Sequence, residues 1–220
     1  WTAETGGTAS STATGGGASV VAKYQVNCGT DAVASGSGWG AGAYSRNAWS
    51  SAADVTVITN QLRVWTQDSW GEDLVFNYRG GKPYFYDSSA NTRGDAFVDL
   101  VGAVEVPTSV DQLLVSPDER TVIAFGCPPV GSTTHDPLQI RWADTESLVD
   151  WDPTSINSAG GLRLTLGSKH MIALKIRQGI FTMTNKAAYL LQYLGPGYGQ
   201  RLVSDNISIL GPKAANVMNN

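Results

Sequence analysis

The sequence predicts an all-β fold of β-propeller-like blades made from antiparallel strands, and three observations lead there. Strand-length apolar segments recur along the chain, each bounded by Gly, Pro, Asn, Asp or Ser. Charged residues make up only 15% of the chain, while glycine reaches 25 of 220 residues, a balance that suits turns and sheets over helices. No window longer than about ten residues carries a 3.6-residue apolar period with caps, so little helix is expected. A hydrophobic content of 42% is ample for a core.

Three regions follow from composition. Residues 1–19 are Gly, Ser, Thr or Ala apart from Trp1 and Glu4, which leaves nothing to bury and reads as an arm or linker. Residues 20–54 form a Gly/Trp-rich strand-and-turn segment, with Val20, Val21, Tyr24 and Val26 as a short strand. In its run Gly36-Ser37-Gly38-Trp39-Gly40-Ala41-Gly42 the aromatic ring supplies burial that glycine does not. Residues 55–220 read as the blades.

Within that last region, residues 55–59, 61–65 and 72–76 are strand candidates, with a turn at Ser69-Trp70-Gly71. Arg79-Gly80-Gly81-Lys82 is a hairpin signal, and Pro83 suits the start of the aromatic strand 83–87. Residues 112–115 lead through the turn Ser116-Pro117-Asp118-Glu119 into 121–126. Residues 161–166, 171–176, 179–184 and 188–193 then read as four strands of one unit, the grouping of a propeller blade or of a plain meander. A weak internal echo aligns Trp65-Thr66-Gln67-Asp68 with Trp142-Ala143-Asp144-Thr145 and with residues 181–185, each read as the end of a strand.

Charge and length exclude several functions. A net charge of −4 argues against a grip on a phosphate backbone, although an acidic surface can line a channel through which DNA slides. No apolar run approaches the roughly 18 residues of a transmembrane helix, so no membrane span is expected. Trp1 opens the chain without a basic leader, which reads as a fragment or processed chain and makes an incomplete propeller the expectation. Cys28 and Cys127 read as two buried thiols, with a long-range disulfide left open.

Catalytic constellations are thin. Only His135 and His170 could serve a triad; each sits in a polar turn where a surface histidine is expected, and no Gly-x-Ser-x-Gly elbow surrounds a serine. The carboxylate pairs Glu72-Asp73, Asp118-Glu119, Asp144 with Glu146 and Asp150 with Asp152 lie in turns, where they bond local amides or water. Asp150-Trp151-Asp152 is too short for a calcium loop, and no Lys-Ser or Lys-Thr follows the glycine run. No catalytic, cofactor-binding or metal-ligating residue is therefore assigned. Of the tryptophans, Trp65, Trp142 and Trp151 are expected to pack at strand ends, while Trp39, Trp49 and Trp70 are candidates for a subunit interface.

Several stretches, taken in order, resemble the nozzle or tail-tubular virion proteins of short-tailed bacteriophages. They are Gly38-Trp39-Gly40-Ala41-Gly42 with Trp49, residues 62–65 through 70–74, Arg79-Gly80-Gly81, residues 122–126, residues 136–144, Gln192-Tyr193-Leu194-Gly195-Pro196 and residues 204–212. The resemblance spans roughly residues 20–220. It implies a β-propeller in a ring-shaped homo-oligomer, commonly a hexamer, that surrounds the DNA channel of the phage tail and serves genome retention and ejection. Implied partners are neighbouring tail adaptor and fibre proteins and the DNA passing through the lumen; no cofactor and no enzymatic step is implied. Two rival readings are a glycan-cleaving tail enzyme using the carboxylate pairs and a receptor-binding β domain using exposed tryptophans.

Overall fold

A computed structural model describes residues 63–90, 94–116, 119–195 and 197–218. The arm 1–19, the segment 20–54 and with them Cys28, Trp39 and Trp49 lie outside the described residues, as do Pro117 and Asp118. The rest is all-β. Twelve strands form three four-stranded antiparallel sheets, and one 3-10 turn, Phe97–Asp99, is the helical content among the described residues.

Each sheet is a meander of strands consecutive in sequence. The first holds β1 (Trp65–Trp70), β2 (Asp73–Tyr78), β3 (Pro83–Tyr86) and β4 (Asp95–Ala96). The second holds β5 (Gln112–Val115), β6 (Val122–Phe125), β7 (Gln139–Trp142) and β8 (Gly160–Arg163). The third holds β9 (His170–Ile176), β10 (Gly179–Thr184), β11 (Ala188–Tyr193) and β12 (Tyr198–Ser204). Tight turns set the registers. Arg79-Gly80 closes β2 on β3 with Gly80 at φ 76°, as the hairpin signal requires, and Pro83 opens its strand as expected.

The middle sheet explains the layering. Leu113, Leu114 and Val115 are all buried, as are all four residues of β6, because a sheet covered on both faces has no solvent side to alternate with. Leu113, Val115, Val122 and Ala124 face the first sheet and pack with Trp70, Val75, Phe97 and Trp151. Leu114, Ile123, Phe125, Ile140 and Trp142 face the third sheet and meet Ala173, Ile180, Tyr189 and Leu191. Each buried Val, Leu, Ile or Phe among them contributes about 1.5–3 kcal/mol by leaving water. The far face of the third sheet carries Ile172, Met183 and Ala188, covered by Ile209 and Ala215 of the C-terminal segment.

Three expectations are corrected. The four segments grouped as one unit straddle two sheets: Gly160–Arg163 closes the second sheet against β7, and the third sheet takes Tyr198–Ser204 as its fourth strand. The cause is local. A side chain at Gly160 or Gly161 would meet Trp142 or Arg141, so these glycines let β8 lie against β7. Tyr198–Ser204, largely exposed beyond its first residue, lacks the apolar run that marks a strand. The internal echo also fails. Residues 65–68 open the first strand of a sheet, Trp142 ends a third strand and Phe181 lies in a second, so the three stretches hold different positions. The turn after β1 is Gly71-Glu72, and Trp70 is the last strand residue.

Candidate functional site at the meeting of the three sheets

The first strands of the three sheets, β1, β5 and β9, lie side by side, and polar side chains join them. Thr66 Oγ accepts the Leu113 N–H at 3.3 Å and Asp68 accepts the Val115 N–H at 2.7 Å. Both partners advance by two residues together, so β1 and β5 run in the same direction. Gln112 forms a reciprocal pair with Ala173 of β9, donating to its carbonyl at 2.7 Å and accepting its N–H at 2.8 Å. Asp68 also holds the Lys175 ammonium of β9 at 2.6 Å, so one carboxylate on the first sheet touches both other sheets.

Arg79, in the β2–β3 turn, clamps the same junction from one end. Its guanidinium donates to Asp111 Oδ2 at 2.9 Å, just before β5, and to the carbonyl of His170, which opens β9. Burial lowers the Arg79 pKa and raises that of Asp111; the facing charges, with His135 and Lys169 on the Asp111 side, act against both shifts. Asn77, fully buried, donates to the Val110 carbonyl at 2.8 Å and accepts from Thr66. Gly126, at φ 60°, lets the Asp111 N–H reach the Phe125 and Gly126 carbonyls, since a side chain there would run into Asp111. A cavity of about 310 Å³ sits at this junction, lined by Thr66, Arg79, Asp111, Gln112, Ala173 and Lys213 among others. Thr66 is bound to Asn77 and the Leu113 N–H, Arg79 to Asp111 Oδ2 and the His170 carbonyl, and Gln112 to both backbone groups of Ala173, which makes the junction a structural lock; Asp111 Oδ1 is left to face His135.

His170 corrects the expectation of a surface histidine. It is the first residue of β9, 1% exposed, stacked on Phe125 at 5.1 Å with Nε2 3.1 Å from Thr182 Oγ. Burial, aided by the Arg79 charge, pushes its pKa down to about 3. The unfolded chain binds a proton near pH 6.5 that the folded one refuses, so stability falls as pH drops from about 6.5 towards 3, by up to about 1.4 kcal/mol per unit. Urea titrations at pH 7 and pH 5 are expected to differ by about 2 kcal/mol, and His170→Gln is expected to flatten that difference.

His135 is one-third exposed, as its loop suggests, but it has company: Ser109 Oγ lies 3.1 Å from Nδ1, and Asp111 Oδ1 3.6 Å from Nε2. The sequence offered no signal for this, because Ser109 and His135 meet only through the packing of two loops.

Asp144 and Asp150 act in the loop between β7 and β8, while Asp73, the first residue of β2, bonds the end of the β2–β3 hairpin; Asp118 lies outside the described residues. Asp144 accepts from Thr145 and Ser158, Asp150 from Asn157 and Asp152, and Asp73 from the Ser88 N–H. The expected packing of Trp142 and Trp151 is observed, at 6% and 0% exposure, and Trp65 lies against Phe76 and Tyr78. Trp70 is 8% exposed within the core between the first two sheets, with the Arg120 guanidinium over its ring at 5.1 Å. Cys127 is a buried thiol whose pKa burial pushes up to about 12.

Two residues missed by sequence reasoning hold the long loops. Arg141, 2% exposed, donates to the Glu105 and Trp151 carbonyls at 2.7 and 2.8 Å. Arg79, read only as a hairpin residue, binds all three sheets together. Among the described residues no group of three or more His, Cys, Asp and Glu side chains could hold a metal ion, and no helix is long and apolar enough to cross a membrane. Comparison with family models, with curated proteins and with solved structures finds no match.

Proposed function

We propose that the three sheets are consecutive blades of a β-propeller-like ring and that the protein is a structural component of a phage tail, encircling the DNA channel. The ion pair between Asp68 and Lys175 carries the architectural half of this reading. Face-packed sheets lie about 10 Å apart, so a flat stack would hold the first and third about 20 Å from each other with the second between them. Side chains from β1 and β9 nevertheless meet at 2.6 Å. Sheets whose first strands converge while the others splay are arranged as blades around an axis. The shared direction of β1 and β5 fits that arrangement, since every blade of a propeller starts from the axis.

The biological half rests on the resemblance of residues 20–220 to nozzle proteins and on the net charge of −4, which suits a lumen that DNA traverses without adhering. The locked polar groups of the junction support a role exercised by shape. The closed homo-oligomer, its adaptor and fibre neighbours and its place in the virion belong to the same proposal. Electron microscopy of the native particle tests it. A ring of this chain on the tail axis is the expected image, and a single copy, or a site at the tip of a fibre, overturns the reading.

A further inference from the structure

We propose that Ser109, His135 and Asp111 form a nucleophile relay that cleaves small, exposed carboxylic esters, an activity separate from the structural role above. The three side chains meet in the order such chemistry requires. His135 Nδ1 faces Ser109 Oγ at 3.1 Å, and its opposite nitrogen, Nε2, faces Asp111 Oδ1 at 3.6 Å. A carboxylate at Nε2 favours the tautomer with the proton on that nitrogen, which leaves the Nδ1 lone pair free to accept the serine proton. The Asp111 side chain is 8% exposed and anchored by Arg79 through its other oxygen at 2.9 Å, so its orientation towards the imidazole is fixed by the lock between the sheets. Asp136 also bears charge towards His135, and it is committed to Arg163 at 2.6 Å; Lys169 adds a positive charge facing Asp111.

The step balances. Ser109 Oγ attacks the ester carbonyl carbon as its proton passes to His135 Nδ1, and the tetrahedral adduct collapses with loss of the alcohol, which takes that proton. Water, deprotonated by the same imidazole, then releases the carboxylic acid and restores the serine. Ser109 does not line the cavity at the sheet junction, so the substrate approaches from the loop surface. That geometry suits a short acyl group such as an O-acetyl carried on a larger molecule, and it leaves a long buried acyl chain without a place.

The test uses the purified full chain with a fluorophosphonate probe and p-nitrophenyl acetate. One phosphonylated peptide containing Ser109 is expected, together with ester hydrolysis. His135→Gln is expected to slow both by about 100-fold or more, and Ser109→Ala to abolish the adduct. Circular dichroism and urea midpoints equal to those of the parent establish that both variants fold. Absence of an adduct, an adduct on another serine, or labelling that His135→Gln leaves unchanged overturns the proposal.

Discussion

Replacing Arg79 with methionine is expected to destabilise the fold by about 3–5 kcal/mol, read as a lowered urea midpoint at pH 7. The guanidinium and the Asp111 carboxylate are only 11% and 8% exposed. Methionine fills similar volume but leaves that carboxylate buried without its cation, and the His170 carbonyl without its donor. Two companion measurements separate the lock from simple packing. Asp111→Asn in the same background is expected to recover part of the loss, because it removes the uncompensated charge. Acid is expected to recover part as well: burial already raises the Asp111 pKa, and without Arg79 the carboxyl protonates more readily, so the penalty shrinks as pH falls. A loss below about 1 kcal/mol, unchanged by either companion, would contradict the role assigned to Arg79.

Trp151→Ala is expected to cost a comparable amount, about 3–5 kcal/mol, by chemical denaturation. The ring is fully buried, packs 6.5 Å from Phe97 and donates from its indole N–H to the Leu148 carbonyl at 2.9 Å. It belongs to no strand, so the loss falls on the loop between β7 and β8. That loop is held at two further points, by Arg141 on the Trp151 carbonyl and by Trp142 on the Ser158 carbonyl at 2.7 Å. Trp151→Phe is expected to recover most of the packing and none of the hydrogen bond, leaving a deficit of about 1–2 kcal/mol. Protease susceptibility confined to residues 144–159 would mark the same loop as the part released.

The fold class was legible because its signals are local. Arg79-Gly80 closes a hairpin through glycine's access to positive φ, Pro83 starts a strand, and the unbroken apolar run of β6 announces a strand buried on both faces. The grouping of strands into sheets was not legible in the last third. The boundary between the second and third sheets falls in residues 164–169, whose leucines look like strand continuation, and Leu164 in fact packs into the core. The junction was hidden for a different reason. Thr66 and Asp68 read as the polar turn at the end of a strand and Gln112 as the polar start of another, yet all three bind backbone groups of neighbouring sheets. A polar side chain where a strand enters a layered core is the signal that could have found them. His170 was misread because glycine, serine and lysine before it mark a turn, whereas the turn ends one residue earlier.

The convergence of the first strands is tested most directly by a zero-length cross-link between Asp68 and Lys175. A carbodiimide activates the Asp68 carboxyl, and an amine at 2.6 Å attacks it to form an amide with no spacer between the residues. The account predicts a linked peptide pair containing residues 68 and 175, formed within one chain and lost in Lys175→Arg. Modification elsewhere without that pair would contradict the convergence of β1 and β9 and, with it, the proposed arrangement of the three sheets around an axis.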